Sequence, residues 1–286
     1  MAILIDGKKI STDIINEMKV ECEKLKVKPG LVVIVVGEDP ASAVYVRNKE
    51  KACDTANFYH HTYRLPASTT EEEILLLLKE IEKDCKVHGV IVQLPLPKHI
   101  NEEKIINSIP VDKDVDCFHP FNVGKLLTKK KGDSPLLCAP CTPAGVMELL
   151  DRYGVDIAGK HAVIVGRSNI VGKPLSLMLL NRDATVTICH SRTEDLASVI
   201  RSADIVVAAV GVPKLVRADM IKDGTVVIDV GVNRLPDGKL CGDVDFEKVR
   251  EKAVAITPVP GGVGPMTIAM LLRNTLSMAK RQNSCE

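Results

Sequence analysis

The chain has 286 residues, which as a soft prior means about two domains of ~150 residues with well-buried cores. Lys and Arg number 38 against 37 Asp and Glu, and Trp is absent with four Tyr and four Phe, so neither a field for nucleic acid or acidic membranes nor a stacking platform for single strands is present. Nine cysteines, odd and scattered, and no cationic-apolar leader at Met1-Ala2-Ile3 predict a reduced, cytoplasmic chain rather than a disulfide framework, and no apolar run approaches a membrane span.

Residues 8–27 place Ile10, Ile14, Ile15, Met18, Cys22 and Leu25 at helical spacing, stopped by Pro29-Gly30. Leu31 to Val36 is an all-apolar strand closed at Gly37, and a helix from Ser42 to about Ala56 follows. That helix carries Tyr45 and Lys49, four apart on one face, beyond the carboxyl end of a strand. Two readings stand there: a phenol and an ammonium handling protons, with the lysine pKa lowered by its surroundings, or two amphipathic side chains on a wet helix face.

Residues 57–65 read as a strand, and Thr69-Thr70-Glu71-Glu72-Glu73 as a capped, acidic start to a helix leading to Leu75–Ile81. Gly89 opens a strand that ends in Gln93 before a two-proline turn; the amide either serves a ligand or ties the turn. A short helix near Glu102–Ser108 is followed by a polar loop with Asp114, Asp116 and Cys117, and then by the lysine-rich stretch Lys125–Lys131. Its three consecutive lysines, with Gly132-Asp133-Ser134-Pro135, mark an exposed linker and a domain change. Cys138 and Cys141 have redox or zinc spacing without a second pair, and otherwise read as two loop thiols.

A helix from Pro140 to about Tyr153 leads to the strand Ala162–Val165, which ends at Gly166. Arg167, Ser168, Asn169, Ile170, Val171, Gly172 and Lys173-Pro174 then open the helical segment Leu175–Leu180. A strand, a tight turn and a helix N-terminus make a pyrophosphate site, although Ser168 and Val171 stand where a full glycine fingerprint has its second and third glycines. The next strand, Thr185–Cys189, ends in His190-Ser191-Arg192 with no carboxylate for a ribose hydroxyl. Ser191, Arg192 and Arg167 suit a 2′-phosphate, which predicts NADP over NAD. Strands around Ile205–Ala209 and Thr225–Val230, each preceded by a helical segment, end in Gly211-Val212-Pro213 and Gly231-Val232-Asn233 at the edge facing the cofactor. The last strand, Ala253–Thr257, enters Pro258–Thr267, a ligand-hugging loop rich in Gly and Pro, and then an apolar helix Ile268–Met278.

The fold class is α/β: two α/β domains, the second a Rossmann-like doubly wound parallel sheet. Expected domains are residues 1–137 joined by the closing helix 266–286, and residues 138–265. Taken together, Tyr45 to Lys49, Val92 to Pro97, Asp114 to Asp116, Pro140 to Pro143, Gly166 to Gly172 and Pro258 to Thr267 make the chain resemble the bifunctional methylenetetrahydrofolate dehydrogenase/cyclohydrolases over nearly its whole length. Cys117 departs from the family, which usually has glycine there.

That resemblance implies a cleft between the domains with folate on one wall and NADP on the other. It implies Lys49 as general acid/base, Tyr45 on the folate, Gln93 tuning the lysine and Asp116 holding the pterin. The cofactor residues it implies are Gly166, Arg167, Ser168, Ser191 and the backbone of Val232, and the loop with Pro258, Gly261 and Gly262 lies near the folate. No metal is needed, since hydride transfer relies on positioning and the methenyl cation needs only water and a proton relay. Family resemblance also implies a homodimer that supplies 10-formyl-tetrahydrofolate for purine and formyl-methionine synthesis. A short-chain-type reductase shares the Tyr-x-x-x-Lys spacing but has its nucleotide loop first, the reverse of the order here; a nucleotide-binding subunit without turnover is the non-enzymatic alternative.

Overall fold

The computed structural model describes residues 2–38, 40–129, 133 and 136–283. In chain order the elements are β1 (Ile3–Leu4), α1 (Gly7–Cys22), β2 (Gly30–Val36), α2 (Pro40–Ala56), β3 (Tyr59–Leu65), α3 (Glu71–Lys83), β4 (Gly89–Val92), α4 (Glu102–Ile106), α5 (Pro120–Thr128) and α6 (Cys141–Arg152). Then come β5 (His161–Val165), α7 (Gly172–Leu180), β6 (Thr185–Cys189), α8 (Leu196–Arg201), β7 (Ile205–Ala208), β8 (Val226–Asp229), β9 (Asn233–Arg234), β10 (Leu240–Cys241), α9 (Phe246–Val249), β11 (Ala255–Ile256) and α10 (Val263–Asn283). Two compact units result: residues 12–128, 134–141 and 268–286 form one, and residues 1–11, 129–133 and 142–267 the other.

The first unit is built on a three-stranded parallel sheet ordered β3-β2-β4. Every residue of β2 is buried, as its unbroken apolar run demands of a strand covered on both faces, whereas β3 at the edge alternates in exposure. Ile74, Leu78 and Ile81 of α3 pack with Val32, Ile34, Val90 and Val92. Thr70 caps α3 by accepting from the Glu73 amide while the Glu73 carboxylate takes the Thr70 amide, the reciprocal box that the acidic start predicts.

The second unit carries a six-stranded, all-parallel sheet ordered β6-β5-β7-β8-β11-β1, with its core around Val163, Val165, Val206, Val227 and Ile256. This is the doubly wound sheet, and its order reverses beside β5.

Four details differ from expectation. The expected first domain began at residue 1, but residues 1–11 cluster with the nucleotide-type sheet. Strand β1 extends it along β11, and the Tyr153 phenol fastens that strand by accepting from the Asp6 amide at 2.7 Å and donating to the Leu4 carbonyl at 3.0 Å. Two residues of β-ladder are too short to show as a period. The first helix stops at Cys22 instead of running to residue 27.

The polar stretch before the lysines contains the helix α5, which starts because the buried Asp114 carboxylate accepts from the Phe118 and His119 amides and from Asn122 Nδ2. The linker expected from the triple lysine falls largely, at residues 130–132, 134 and 135, outside the described residues. The closing helix α10 begins at Val263, not Ile268. Gly264 and Pro265, which read as loop punctuation, lie in its first turn, where a proline's missing N–H costs no hydrogen bond.

Candidate active site

In the first unit α2 presents Lys49, and β4 delivers Gln93 directly after its last residue. Lys49 is only 8% exposed, which overturns the reading of a wet helix face for it; Tyr45, one turn earlier, is 40% exposed. The Lys49 Nζ donates to Gln93 Oε1 at 2.9 Å, and Gln93 Nε2 donates to the Leu94 carbonyl at 2.8 Å. The second bond orients the amide, so its oxygen and not its nitrogen meets the lysine. Because both ammonium and amine have N–H groups, this contact survives the loss of a proton from Lys49.

Asp116 is half-buried on the turn after β4's neighbour Asp114. Burial pushes its carboxyl above the usual carboxylate range, the Lys49 charge pulls it back, the Asp114 charge adds to the rise and a hydrogen bond from the Cys141 thiol opposes it. Lys49, Gln93, Asp116 and Cys141 are therefore one constellation; Tyr45 lies one turn before Lys49 on α2.

Cys117 takes φ 59°, the left-handed conformation that favours glycine, at a cost of roughly 1 kcal/mol. Asn274, on α10, secures the same turn: its amide donates to the Val115 carbonyl and to the Ala139 carbonyl, each at 2.8 Å. Sequence reading missed Asn274 and took Cys141, which begins α6, for a redox or zinc ligand or one of two loop thiols. Cys141 is buried, its Sγ 3.3 Å from the Val115 carbonyl oxygen; burial and the Asp116 charge hold its thiol well above its ordinary pKa, so it is inert rather than a nucleophile.

In the second unit the turn after β5 is shaped for an anion. Gly166 has φ 128°, and a Cβ there would lie 2.1 Å from the Ala209 carbonyl oxygen, so no other residue fits. Arg167, Ser168, Asn169 and Ile170 are exposed, and Gly172 is buried at the start of α7. Ser168 Oγ accepts from the Val171 amide at 3.1 Å and the Gly172 amide at 3.4 Å. The hydroxyl oxygen in place of the fingerprint's second glycine thus takes up the backbone amides where α7 begins.

At the end of β6, His190 orders the exposed Ser191-Arg192 turn, its Nδ1 accepting from the Arg192 amide at 3.1 Å. The residues fit NADP: glycine where the backbone must approach a phosphate, a helix N-terminus behind it, and two exposed guanidiniums with two hydroxyls at the adjacent strand ends. Val232 is 48% exposed on the turn after β8. Pro258 and Gly261 are half-buried and Gly262 buried in this same unit, where the Gly261 carbonyl accepts from the Lys8 amide at 2.9 Å. The three belong to a different unit from Lys49, Gln93 and Asp116.

Residues 5–116 match the tetrahydrofolate dehydrogenase/cyclohydrolase catalytic domain, and residues 140–283 match the NAD(P)-binding domain of the same family. The bifunctional protein FolD of Moorella thermoacetica is 57% identical over 98% of this chain and 99% of its own. A crystal structure of the Campylobacter jejuni bifunctional methylenetetrahydrofolate dehydrogenase/cyclohydrolase FolD is 49% identical with a TM-score of 0.95, covering 98% of this chain and 99% of that one. The Trypanosoma brucei FolD structure, complexed with NADP cofactor and inhibitor, is 42% identical with a TM-score of 0.93, covering 98% of each. With both halves of its sequence matched, and the lysine constellation and nucleotide turn each in place, the chain belongs to the tetrahydrofolate dehydrogenase/cyclohydrolase family.

Proposed function

We propose that this chain is a bifunctional one-carbon enzyme that oxidises 5,10-methylenetetrahydrofolate with NADP and then hydrolyses the 5,10-methenyl product to 10-formyltetrahydrofolate. One observation carries the reading: a buried lysine, 2.9 Å from an oriented glutamine oxygen and beside a carboxyl, in a chain of this family. When bound, NADP accepts a hydride at nicotinamide C4, which leaves the bridging carbon of the folate as a cation. Gly166, Arg167, Ser168, Ser191, Arg192 and the Val232 backbone would hold the cofactor.

Water then adds to the cationic carbon. Lys49 as the free amine takes the proton that water loses, and returns one to the folate nitrogen released when the ring opens; the net products are the formyl compound and one proton. Gln93 keeps the lysine nitrogen aimed throughout. Asp116 accepts from the pterin N–H groups, and Tyr45, partly exposed beside Lys49, offers its ring to the folate. Pro258, Gly261 and Gly262 make the further folate contacts.

A homodimer fits the seven-residue β3, which pairs with β2 alone among the described strands and offers its other edge to a second copy. Cytoplasmic residence fits the eight described cysteines, all free thiols, and no described helix is long and apolar enough to cross a membrane. The product would feed purine, histidine and methionine biosynthesis. NADPH formation from methylenetetrahydrofolate, followed at the nicotinamide absorbance, with decay of the methenyl absorbance, tests the reading; absence of both signals in wild-type protein removes it.

A further inference from the structure

The excursion between β8 and α9 puts a buried carboxylate where the mechanism uses none. Strand β9 leaves the Val232 turn and β10 returns antiparallel to it, Cys241 opposite Asn233, so that Gly242 and Asp243 arrive back beside the end of β8. Asp243 is fully buried. Its Oδ2 accepts from the Val210 amide at 2.7 Å and the Gly211 amide at 3.0 Å, on the turn after β7. Its Oδ1 accepts from Asn233 Nδ2 at 2.9 Å, at the start of β9 where the turn after β8 ends. A Cβ on Gly231 would lie 2.2 Å from the Asp243 carboxyl, so the carboxylate sits directly against the backbone leading to Val232.

Asp229, at the end of β8, holds the clasp itself. Its carboxylate accepts from the Gly231 and Asp243 amides at 3.0 Å and from the Val244 amide at 2.9 Å. Each side chain therefore fixes backbone, and the two turns after β7 and β8 are locked to one another through Asp243.

Sheet order gives those turns a place along the cofactor. The pyrophosphate site follows β5, and the 2′-phosphate residues follow β6 on one side. A dinucleotide anchored there has its other half toward β7 and β8, the strands on the opposite side of β5.

We propose that Asp243 is a positioning residue for the nicotinamide half of the cofactor, clasping the turns at 209–213 and 230–233 into the wall on which that half rests. This deepens the reading of Val232 as a cofactor contact and rests on it. Asp243→Asn keeps the shape but has one acceptor end where the carboxylate has two, so an N–H meets either the Val210 and Gly211 amides or Asn233 Nδ2. The expected result is an NADP dissociation constant raised about tenfold, with the affinity for adenosine 2′,5′-bisphosphate, the other half of the cofactor, within twofold of wild type and the folate KM unmoved.

Should that variant not fold, Asn233→Ala, which removes one bond of the clasp, is expected to weaken NADP roughly threefold with the fragment again unaffected. Unchanged NADP affinity in either folded variant, or an equal loss for NADP and the fragment, overturns the proposal. Hydrogen exchange on the wild-type protein separates the two levels: NADP that fails to protect amides at 209–213 and 230–233 sinks the Val232 reading and the proposal together. Protection with unaltered variant affinities sinks the clasp alone.

Discussion

The two units use their residues in opposite ways. Around Lys49 the groups proposed for the chemistry are buried or half-buried side chains: Gln93 is oriented by a backbone carbonyl, and the Asp116 turn is held by the side chains of Asp114 and Asn274. Around Gly166 the backbone does the shaping, and the side chains, Arg167, Ser168, Ser191 and Arg192, lie exposed at strand ends. Proton transfer needs a group whose position is fixed and whose water is controlled, whereas an anion needs donors it can reach. The contrast predicts separable losses.

The largest loss should follow Lys49→Met: methenyl-tetrahydrofolate hydrolysis, read from the methenyl absorbance, falls at least ~10²-fold, because the variant lacks the amine that takes a proton from water and gives it back. Next, Asp116→Ala removes the acceptor proposed for the pterin, and the folate KM is expected to rise about 10- to 100-fold with NADP affinity unchanged. An unchanged folate KM would detach Asp116 from the substrate. In the other unit, neutralising Arg167 and Arg192 together as Arg167→Gln and Arg192→Gln weakens NADP about tenfold while leaving NAD as it was, measured by titrating both. NAD bound more tightly than NADP by the unaltered protein would remove the 2′-phosphate assignment.

The smallest effect is on stability. Burial raises the Asp229 carboxyl to about 6 from 3.8, against the pull of its three backbone donors. The folded state therefore holds that proton more tightly than the unfolded chain. The associated stability is fully present below the unfolded value and is lost as pH rises through about 6. From about pH 5 to pH 7 the loss is on the order of 1 kcal/mol, a few degrees in Tm, relative to Asp229→Asn, whose side chain does not titrate. A parallel pH dependence of Tm in both proteins would contradict it.

Much of this contrast was readable from residue order, for reasons that differ between the units. Strand-turn-helix alternation with Gly166, Gly172 and Pro174 at fixed offsets is a local signal, and the nucleotide turn was legible from it. Spacing placed Tyr45 and Lys49 on one helix face, but the partner of Lys49, Gln93, lies 44 residues away along the chain. Asn274 reaches Val115 across 159 residues and Asp243 reaches Val210 across 33, so neither leaves a local trace. Helix α5 escaped notice because a side chain, Asp114, starts it rather than an apolar period, and the first turn of α10 was hidden by the glycine and proline that begin it.

Separability itself is measured by following methenyl hydrolysis and NADP binding side by side in Lys49→Met and in the Arg167→Gln, Arg192→Gln double variant. A lysine variant that binds NADP as wild type yet leaves the methenyl compound intact, beside an arginine variant that hydrolyses it normally yet binds NADP weakly, is the predicted outcome. Hydrolysis at a near-normal rate without Lys49, or both functions lost together in either protein, would contradict the account.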